Sequence, residues 1–283
     1  MISIIIPTHN DGDNLKLAIE SIQNQTYKNI EIIVIDDFST DNTKTLIKDI
    51  AKHDIRVKYH LNIFNDPKRI GRNGVNINAG YSARNYGLSL ARGKWITFQD
   101  GDDISLLNRI EVQLNLVEKY KVSHLTTSVV WMEGKYINKK IDFDKFFNVN
   151  DISNMLVGSY KINQISKEGI GFFSKILPEL IFCKIPFFLK RRDPIRSLFF
   201  RHLKPYIGAA NNPFFKRELI DKVQFRQLDY RIWPSAKGRG ADRDFNFNLA
   251  HTFNDSLFVD IPLYCWRTPV KFQDAYNLKE FLI

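Results

Sequence analysis

Cysteine is scarce in this 283-residue chain, which has only Cys183 and Cys265. Two cysteines without metal-ligand spacing exclude a disulfide framework and suit a reducing compartment such as the cytoplasm. Glycine-rich phosphate loops are missing too. Neither G-x-x-x-x-G-K-[ST] nor G-x-G-x-x-G occurs, which weakens ATPase and dinucleotide-oxidoreductase readings. No apolar run suits a bilayer-spanning helix, because Lys175, Pro178, Glu179 and Pro186 interrupt the most hydrophobic stretch. The opening MISIIIPTHN has no basic region and too short an apolar run for a signal peptide, so it reads as a strand. Internal repeats and low-complexity tracts are absent.

Acidic residues are outnumbered, 31 Asp and Glu against 41 Lys and Arg, giving a net charge of +10 and a pI near 9.4. Such a balance favours polyanions, phosphorylated ligands or anionic membranes and says nothing about fold. The positive charge clusters with Phe and Leu rather than along a groove-reading motif, which argues against nucleic-acid binding. With 44% hydrophobic and 25% charged residues the composition is that of a globular protein. Length allows one large domain or two small ones.

The first hundred residues alternate strand and helix patterns. ISIIIP is a continuous β-branched run, as in a buried parallel strand. DNLKLAIESIQNQ repeats Leu15, Ala18, Ile19 and Ile22 at helical spacing. IEIIVIDD predicts a second strand, STDNTKTLIKDI a second helix, RVKYHLN a third strand, SARNYGLSLARG a helix closed by Gly93, and KWITFQD a fourth strand. This order predicts a right-handed, mostly parallel α/β sheet, whose ligands collect at the carboxyl ends of the strands. From about residue 140 the alternation fades and no period is readable.

Polar residues gather at those strand ends. The first strand delivers Thr8, His9, Asn10 and Asp11, the second Asp36 and Asp37, and the fourth Asp100, Asp102 and Asp103. Any one cluster is as well explained by helix capping as by function; all of them together are not. Closely spaced carboxylates repel each other and are costly to bury. They suit a hard divalent cation, Mg²⁺ or Mn²⁺, that takes one or two carboxylates and completes its shell with a substrate diphosphate.

SIIIPTHNDGDNLKLAIESIQNQTYKNIEIIVIDDFSTDNT followed by NAGYSARNYGLSLARGKWITFQDGDD resembles the nucleotide-sugar-binding half of family 2 glycosyltransferases with the GT-A fold, over roughly residues 1–115. The combination of strand-Pro-x-x-Asn, I-D-D-x-S-x-D, A-R-N-x-G-L and D-x-D-D carries the likeness. The resemblance implies that Pro7, Thr8, His9 and Asn10 line the donor pocket, with Asp37 accepting a hydrogen bond from the base. His9 stands where the family often has another aromatic ring. Arg84 would approach the nucleotide or its phosphates, Asp100 the ribose and donor sugar, and Asp102 and Asp103 the metal.

Residues 116–283 would form a helical, acceptor-binding region. The family usually supplies its general base from a Gly-x-Glu-Asp segment at a helix start. GRGADRDFNFNLA resembles that segment with Ala241 in place of Glu, so Asp242 is the candidate base and Asp244 the runner-up, with a plain helix cap as the other reading. Asn211, Asn212 and Trp233 are candidate sugar contacts, although an aromatic residue there is more often core. IPLYCWRTPV resembles the family's closing strand, with Thr268 and Pro269 where a metal-ligating His often follows the Arg. Residues 176–204 mix large apolar side chains with Lys184, Lys190, Arg191, Arg192, Arg196, Arg201 and Lys204. Such a segment could lie in a membrane interface or pack over a second small core.

These features predict a GT-A enzyme of the hexosyl- or N-acetylhexosaminyl-transferase kind. It would move sugar by inversion from a nucleotide-diphosphate donor, UDP-linked, to a hydroxyl of a growing or lipid-linked surface glycan. It would work with Mn²⁺ or Mg²⁺ in the cytoplasm at the inner face of the membrane. The rivals are a sugar-nucleotide pyrophosphorylase, whose Gly-rich, Arg-containing loop PTHNDGDN does not provide, and a non-catalytic nucleotide-binding or assembly subunit.

Overall fold

In a computed structural model, residues 1–67, 79–150, 152–201, 212–234, 240–267 and 277–283 are described. The four strands and three helices expected of the first hundred residues all form. Strands β1 (Ile2–Thr8), β2 (Ile30–Asp36), β3 (Val57–Leu61) and β4 (Trp95–Phe98) lie in the order β3-β2-β1-β4, every pair parallel. Helices α1 (Gly12–Gln23), α2 (Thr43–His53) and α3 (Tyr81–Leu90) connect them. Every residue of β1 and β2 is buried, which is why these strands read as continuous β-branched runs.

Alternate side chains of this sheet serve two layers. Ile4, Ile6, Ile32 and Val34 pack with Leu15, Ile19 and Ile22 of α1. Ile5, Ile33 and Ile35 face Tyr81, Ala83 and Leu88 of α3. Pro7 lies inside β1 rather than ending it. It pairs only on the β2 side, beyond the Ile5–Phe98 pair that closes the β4 ladder, so its missing N–H costs no sheet bond. α3 stops at Leu90, and Gly93 follows as a point of close approach: a Cβ there would lie 2.6 Å from the Ser3 backbone nitrogen.

Beyond β4 the sheet becomes mixed. β5 (Ile104–Ser105) precedes α4 (Arg109–Tyr120), and β6 (His124–Trp131) leads through α5 (Phe143–Val149) and α6 (Ile152–Met155) to β7 (Leu156–Gly158). Helix α7 (Ser159–Glu168) is followed by four short helices, α8 (Phe172–Ile176), α9 (Glu179–Phe182), α10 (Phe187–Lys190) and α11 (Arg196–Phe199). β8 (Phe214–Lys216), α12 (Ala241–Phe253) and β9 (Ser256–Trp266) complete the main elements. The strand order continues β4-β8-β6-β9-β5, with β7 also on β9. Among the described residues of this half, only the β6–β9 pair is parallel; β4–β8, β6–β8, β5–β9 and β7–β9 are antiparallel. The mostly parallel sheet expected from the sequence therefore describes β1 to β4, and one sheet runs through both halves of the chain.

Residues 172–201 build a small core of their own. Phe182, Phe187, Phe199 and Phe200 pack with Leu228, while Phe172, Leu180, Ile181 and Phe188 face outward. Lys190 belongs to the inside: its ammonium lies 3.6 Å from the centre of the Phe182 ring and donates to the Asp229 carbonyl. Burial lowers its pKa to about 8. Lys204 lies outside the described residues, and no described helix is long and apolar enough to cross a membrane.

The close approach at Gly93 yields a test. Gly93→Ala forces β1 and the β4 lead-in apart, at a cost of about 1–3 kcal/mol. Thermal unfolding should show a midpoint several degrees lower, and an unchanged midpoint would mean that the two backbones separate freely.

Candidate active site

The carboxyl ends of β1, β2 and β4 meet at one sheet edge, and each is shaped by its own hydrogen bonds. At the end of β1 the Asp11 carboxylate accepts from the Thr8 hydroxyl at 2.7 Å and the His9 N–H at 3.1 Å. His9 Nδ1 sits 2.8 Å from the Asp37 carbonyl, which assigns the proton to Nδ1 and leaves Nε2 facing the Asn10 amide. Asn10 has φ 55°, and its side-chain oxygen accepts the Thr40 N–H, joining the β1 and β2 loops. At β2, Asp36 is spent on structure, accepting from the Ser39 N–H and the Tyr59 hydroxyl. Asn62 donates to Asp37 at 2.7 Å and to Ser82 on α3 at 3.0 Å, which fixes Asp37 against the helix.

The loop after β4 carries the acidic cluster. Gly101 packs so closely on the β1 loop that a Cβ there would lie 2.5 Å from Asp11 Oδ2. Arg84 is buried rather than spread on the surface. It donates to Asp100 at 2.7 Å and to the Ala79 carbonyl, and lies over the Phe225 ring. Burial, together with the charges of Asp102, Asp242 and Asp11, pushes the Asp100 pKa up to about 7 against the opposing pull of Arg84. Burial also lifts Asp103 to about 9, helped by Asp100 and Asp102. Asp103 Oδ1 accepts the Arg267 N–H at 2.6 Å, whereas Oδ2 is buried with no hydrogen-bond partner. The Tyr264 hydroxyl nearby draws the Asp103 pKa back without reaching Oδ2.

Asp242 enters this cluster from the other half. It stands in the first turn of α12, behind Gly240 in a left-handed conformation at φ 92°. Burial raises its pKa, while Arg84, the backbone N–H groups of Asp242 and Arg243, and Arg231 pull it down. Asp244, two residues on, is different. Its carboxylate is 1% exposed and accepts from Arg226 twice, at 2.8 and 3.0 Å, and from the Ile232 and Trp233 N–H groups. A carboxylate saturated by four donors is a fastener and does not serve as a general base, so the runner-up falls to structure.

Two acceptor candidates are likewise interior. Trp233 is 2% exposed, donates its indole N–H to the Ser166 carbonyl at 2.9 Å and packs on Phe247. Asn212 is fully buried, donates to Thr127 and accepts a bond from Gln113 on its backbone carbonyl. Both support the core and offer no surface to a sugar. Asn211, Thr268 and Pro269 lie outside the described residues.

Charge balance is the test of whether a divalent cation fits here. Asp11, Asp100, Asp102 and Asp103 share one loop pair, three with raised pKa values and one with an orphaned buried oxygen. Arg84 pairs with Asp100, but the remaining carboxylates leave an excess of negative charge that fits a cation. Among the described residues no three His, Cys, Asp or Glu side chains enclose an ion by themselves. The protein would thus provide one or two carboxylates, as hard cations with diphosphate ligands require.

Residues 3–174 match the family model of glycosyl transferase family 2. The chain belongs to glycosyltransferase family 2. This family 2 domain is 37% identical over 194 residues to an uncharacterized glycosyltransferase of Haemophilus influenzae, covering 64% of this chain and 73% of that protein. It is 29% identical over 197 residues to WfgD of Escherichia coli, a UDP-Glc:alpha-D-GlcNAc-diphosphoundecaprenol beta-1,3-glucosyltransferase, covering 68% of this chain and 66% of WfgD. The match spans only 18% of a Rickettsia bellii glycosyltransferase and 29% of a Campylobacter jejuni glucosyltransferase. Staphylococcus aureus TarS 1-349 shares the fold with a TM-score of 0.57 at 14% identity, over 95% of this chain and 60% of TarS. The Pyrobaculum calidifontis mannosyltransferase PcManGT does so at 0.53 and 15% identity, over 97% and 58%. The fold is therefore the mixed α/β architecture of GT-A enzymes.

A stability measurement checks the charge argument. The Asp103 pKa of about 9 in the folded protein exceeds the ordinary carboxylate value, so without metal the folded state holds the proton more tightly. The contribution of this group to stability therefore falls as pH rises from about 4 towards 9. Asp103→Asn removes the proton uptake that folding otherwise requires at this site and keeps an acceptor for Arg267. At pH 8 without metal it should raise the thermal midpoint by about 2–4 °C; a lower midpoint would mean that the charge itself holds the loop.

Proposed function

We propose that the chain is an inverting transferase that moves a sugar from a UDP-linked donor to a hydroxyl of a lipid-linked surface glycan at the cytoplasmic face of the membrane. One observation carries this reading: Asp242, from the second half, joins Asp100 and Arg84 at the strand ends where Asp102 and Asp103 stand. The names of relatives support the chemistry. WfgD and the Campylobacter jejuni glucosyltransferase act on undecaprenol-diphosphate-linked glycans. TarS has been solved with UDP-GlcNAc, and PcManGT with GDP-Man and Mn²⁺.

In this mechanism Pro7, Thr8, His9 and Asn10 form the floor of the base pocket, and Asp37, steadied by Asn62, accepts from the base. Arg84 bridges Asp100 and the donor. Asp102 and Asp103 Oδ2 would hold Mn²⁺ or Mg²⁺, which when bound compensates the charge that collects on the departing diphosphate. The acceptor oxygen attacks the anomeric carbon as the bond to the β-phosphate oxygen breaks. Asp242 takes the hydroxyl proton, and the configuration inverts. Ala241 is buried in the α12 packing and offers no carboxylate, so Asp242 carries the base role by itself.

Calorimetry with UDP and GDP, with and without Mn²⁺, tests the donor site. Metal-dependent UDP binding that is lost in Asp102→Ala supports it. A folded wild type that takes neither nucleotide would favour the non-catalytic assembly subunit. Asp242→Asn should bind UDP normally yet lose transfer by about 10²–10⁴-fold. Because burial raises the Asp242 pKa, the rate should also fall on the acid side, as protonation removes the base, over a range above that of an ordinary carboxylate.

The outer face of residues 172–201 is assigned to the membrane. Phe172, Leu180, Ile181 and Phe188 are exposed, between 51 and 76%, and are interspersed with exposed Lys175, Lys184, Arg191 and Arg192. Apolar side chains can enter the headgroup boundary while each basic residue gains ~1 kcal/mol from anionic lipid. Replacing Leu180 and Phe188 by Ser, or Arg191 and Arg192 by Glu, should abolish flotation with anionic vesicles while the domain stays folded. Unchanged flotation would remove the membrane from the proposal.

A further inference from the structure

Beneath the acidic loop lies a buried cation that no motif announced. Arg109, the first residue of α4, is 0% exposed and uses all five guanidinium hydrogens. Nε donates to Gln113 at 3.2 Å; Nη1 donates to Gln99 at 3.2 Å and Ser105 at 2.9 Å; Nη2 donates to the Thr97 hydroxyl and to the Phe98 carbonyl at 2.9 Å. None of these acceptors is a carboxylate. A buried guanidinium is costly unless a negative potential compensates it, and Asp100 supplies such a potential.

The acceptors show what the arrangement holds. Thr97, Phe98 and Gln99 belong to the arm entering the acidic loop and Ser105 to the arm leaving it, so one guanidinium ties both together. The same guanidinium lies 5.2 Å from the centre of the Tyr264 ring. Tyr264, 1% exposed, accepts the Asp100 backbone N–H on its hydroxyl at 2.9 Å, and its hydroxyl lies beside Asp103. Tyr264 in turn pairs with Ser105 across β5 and β9. Two side chains therefore reach the Phe98 carbonyl on one arm of the loop and the Ser105 hydroxyl on the other, the amide of Asp100 and the neighbourhood of Asp103.

We propose that Arg109 and Tyr264 are positioning residues that hold the loop of Asp100, Asp102 and Asp103 in its cation- and diphosphate-binding geometry before any ligand arrives. This rests on the reading of that loop as the donor site. Preorganisation spares the ligand the cost of ordering the loop, so loosening this support should weaken binding more than a loss of global stability would.

The test uses the full chain with Tyr264→Phe, which removes one hydroxyl and keeps the ring under Arg109, and Arg109→Lys as a second variant. Leu116→Ala, a core truncation elsewhere on α4, serves as a destabilised control. Two quantities are read: amide hydrogen exchange at Asp100 without ligand, and calorimetric UDP affinity with Mn²⁺. The expected result is about tenfold faster exchange at Asp100 and about tenfold weaker UDP binding in Tyr264→Phe, a comparable loss in Arg109→Lys, and neither change in Leu116→Ala. Wild-type exchange and affinity in Tyr264→Phe, or equal losses in Leu116→Ala, would overturn the proposal. Should Tyr264→Phe not fold, the same comparison is made with Arg109→Lys. If wild type binds no UDP, the donor reading fails, and the exchange comparison alone still decides whether the two residues position the loop.

Discussion

Five carboxylates gathered at one sheet edge are the constraint on which the rest of this structure depends. Asp11, Asp100, Asp102, Asp103 and Asp242 repel one another, and burial raises the free energy of ionised Asp11, Asp100, Asp103 and Asp242. Arg84 enters the cluster and bonds Asp100 directly. Arg109 stays below it, bonded to neutral atoms, and acts through the field of its charge and through the backbone it ties. Their division of labour follows from geometry. Arg84 takes an oxygen of Asp100 and leaves Asp102 and Asp103 to an incoming cation, whereas Arg109 beneath the cluster supports the loop without occupying any carboxylate oxygen.

The remaining fold delivers these groups to one place. β1 and β2 end level, with Thr8 opposite Asp36, whereas β4 ends opposite Ile5, three residues earlier, and the loop that follows it carries Asp100, Asp102 and Asp103 to the same edge. The antiparallel half then returns the chain to the same edge. β8 pairs with β4 and leads to α12, whose first turn carries Asp242. Asp244 anchors that turn through Arg226 and two backbone amides. Asp242 and Asp244 sit two positions apart on one helix and so point in different directions: one faces the acidic cluster, the other fastens the helix start. The tasks of the two carboxylates are thereby separated by helical geometry alone.

How much of this could be read from the sequence depended on whether a residue's partner was local. β1, β2 and β4 were legible because a strand buried on both faces needs an unbroken apolar run. β9 was harder. Its Asp260 and Pro262 interrupt the apolar pattern, and Pro262 is tolerated because the β6 register shifts around Ser128, opposite it. Trp233 and Asn212 looked like sugar contacts because an aromatic ring and an amide have the same letters whether they face a ligand or a core. Only their long-range partners, Ser166 and Thr127, distinguish the two. Arg109 left a faint signal: with Gln113 and Leu116 it falls on the buried stripe of α4. Two polar residues on an apolar stripe imply a buried network, though not its location under the acidic loop.

The raised carboxylate pKa values bear on why such a loop needs support. An acidic loop free to move would relieve its repulsion by spreading its side chains into water, and a cation would then have to gather them again. Here Gly101 is pressed on Asp11, Asp103 is bonded to the Arg267 amide, and Asp100 is held by Tyr264 through its backbone and by Arg84 through its side chain. Every route for the loop to open breaks at least one of these contacts. Repulsion is thus retained in the folded state as a standing preference for positive charge. Under the proposed function, a divalent ion and a nucleoside diphosphate would satisfy that preference together, because the metal would offset the charge of both the protein carboxylates and the phosphates.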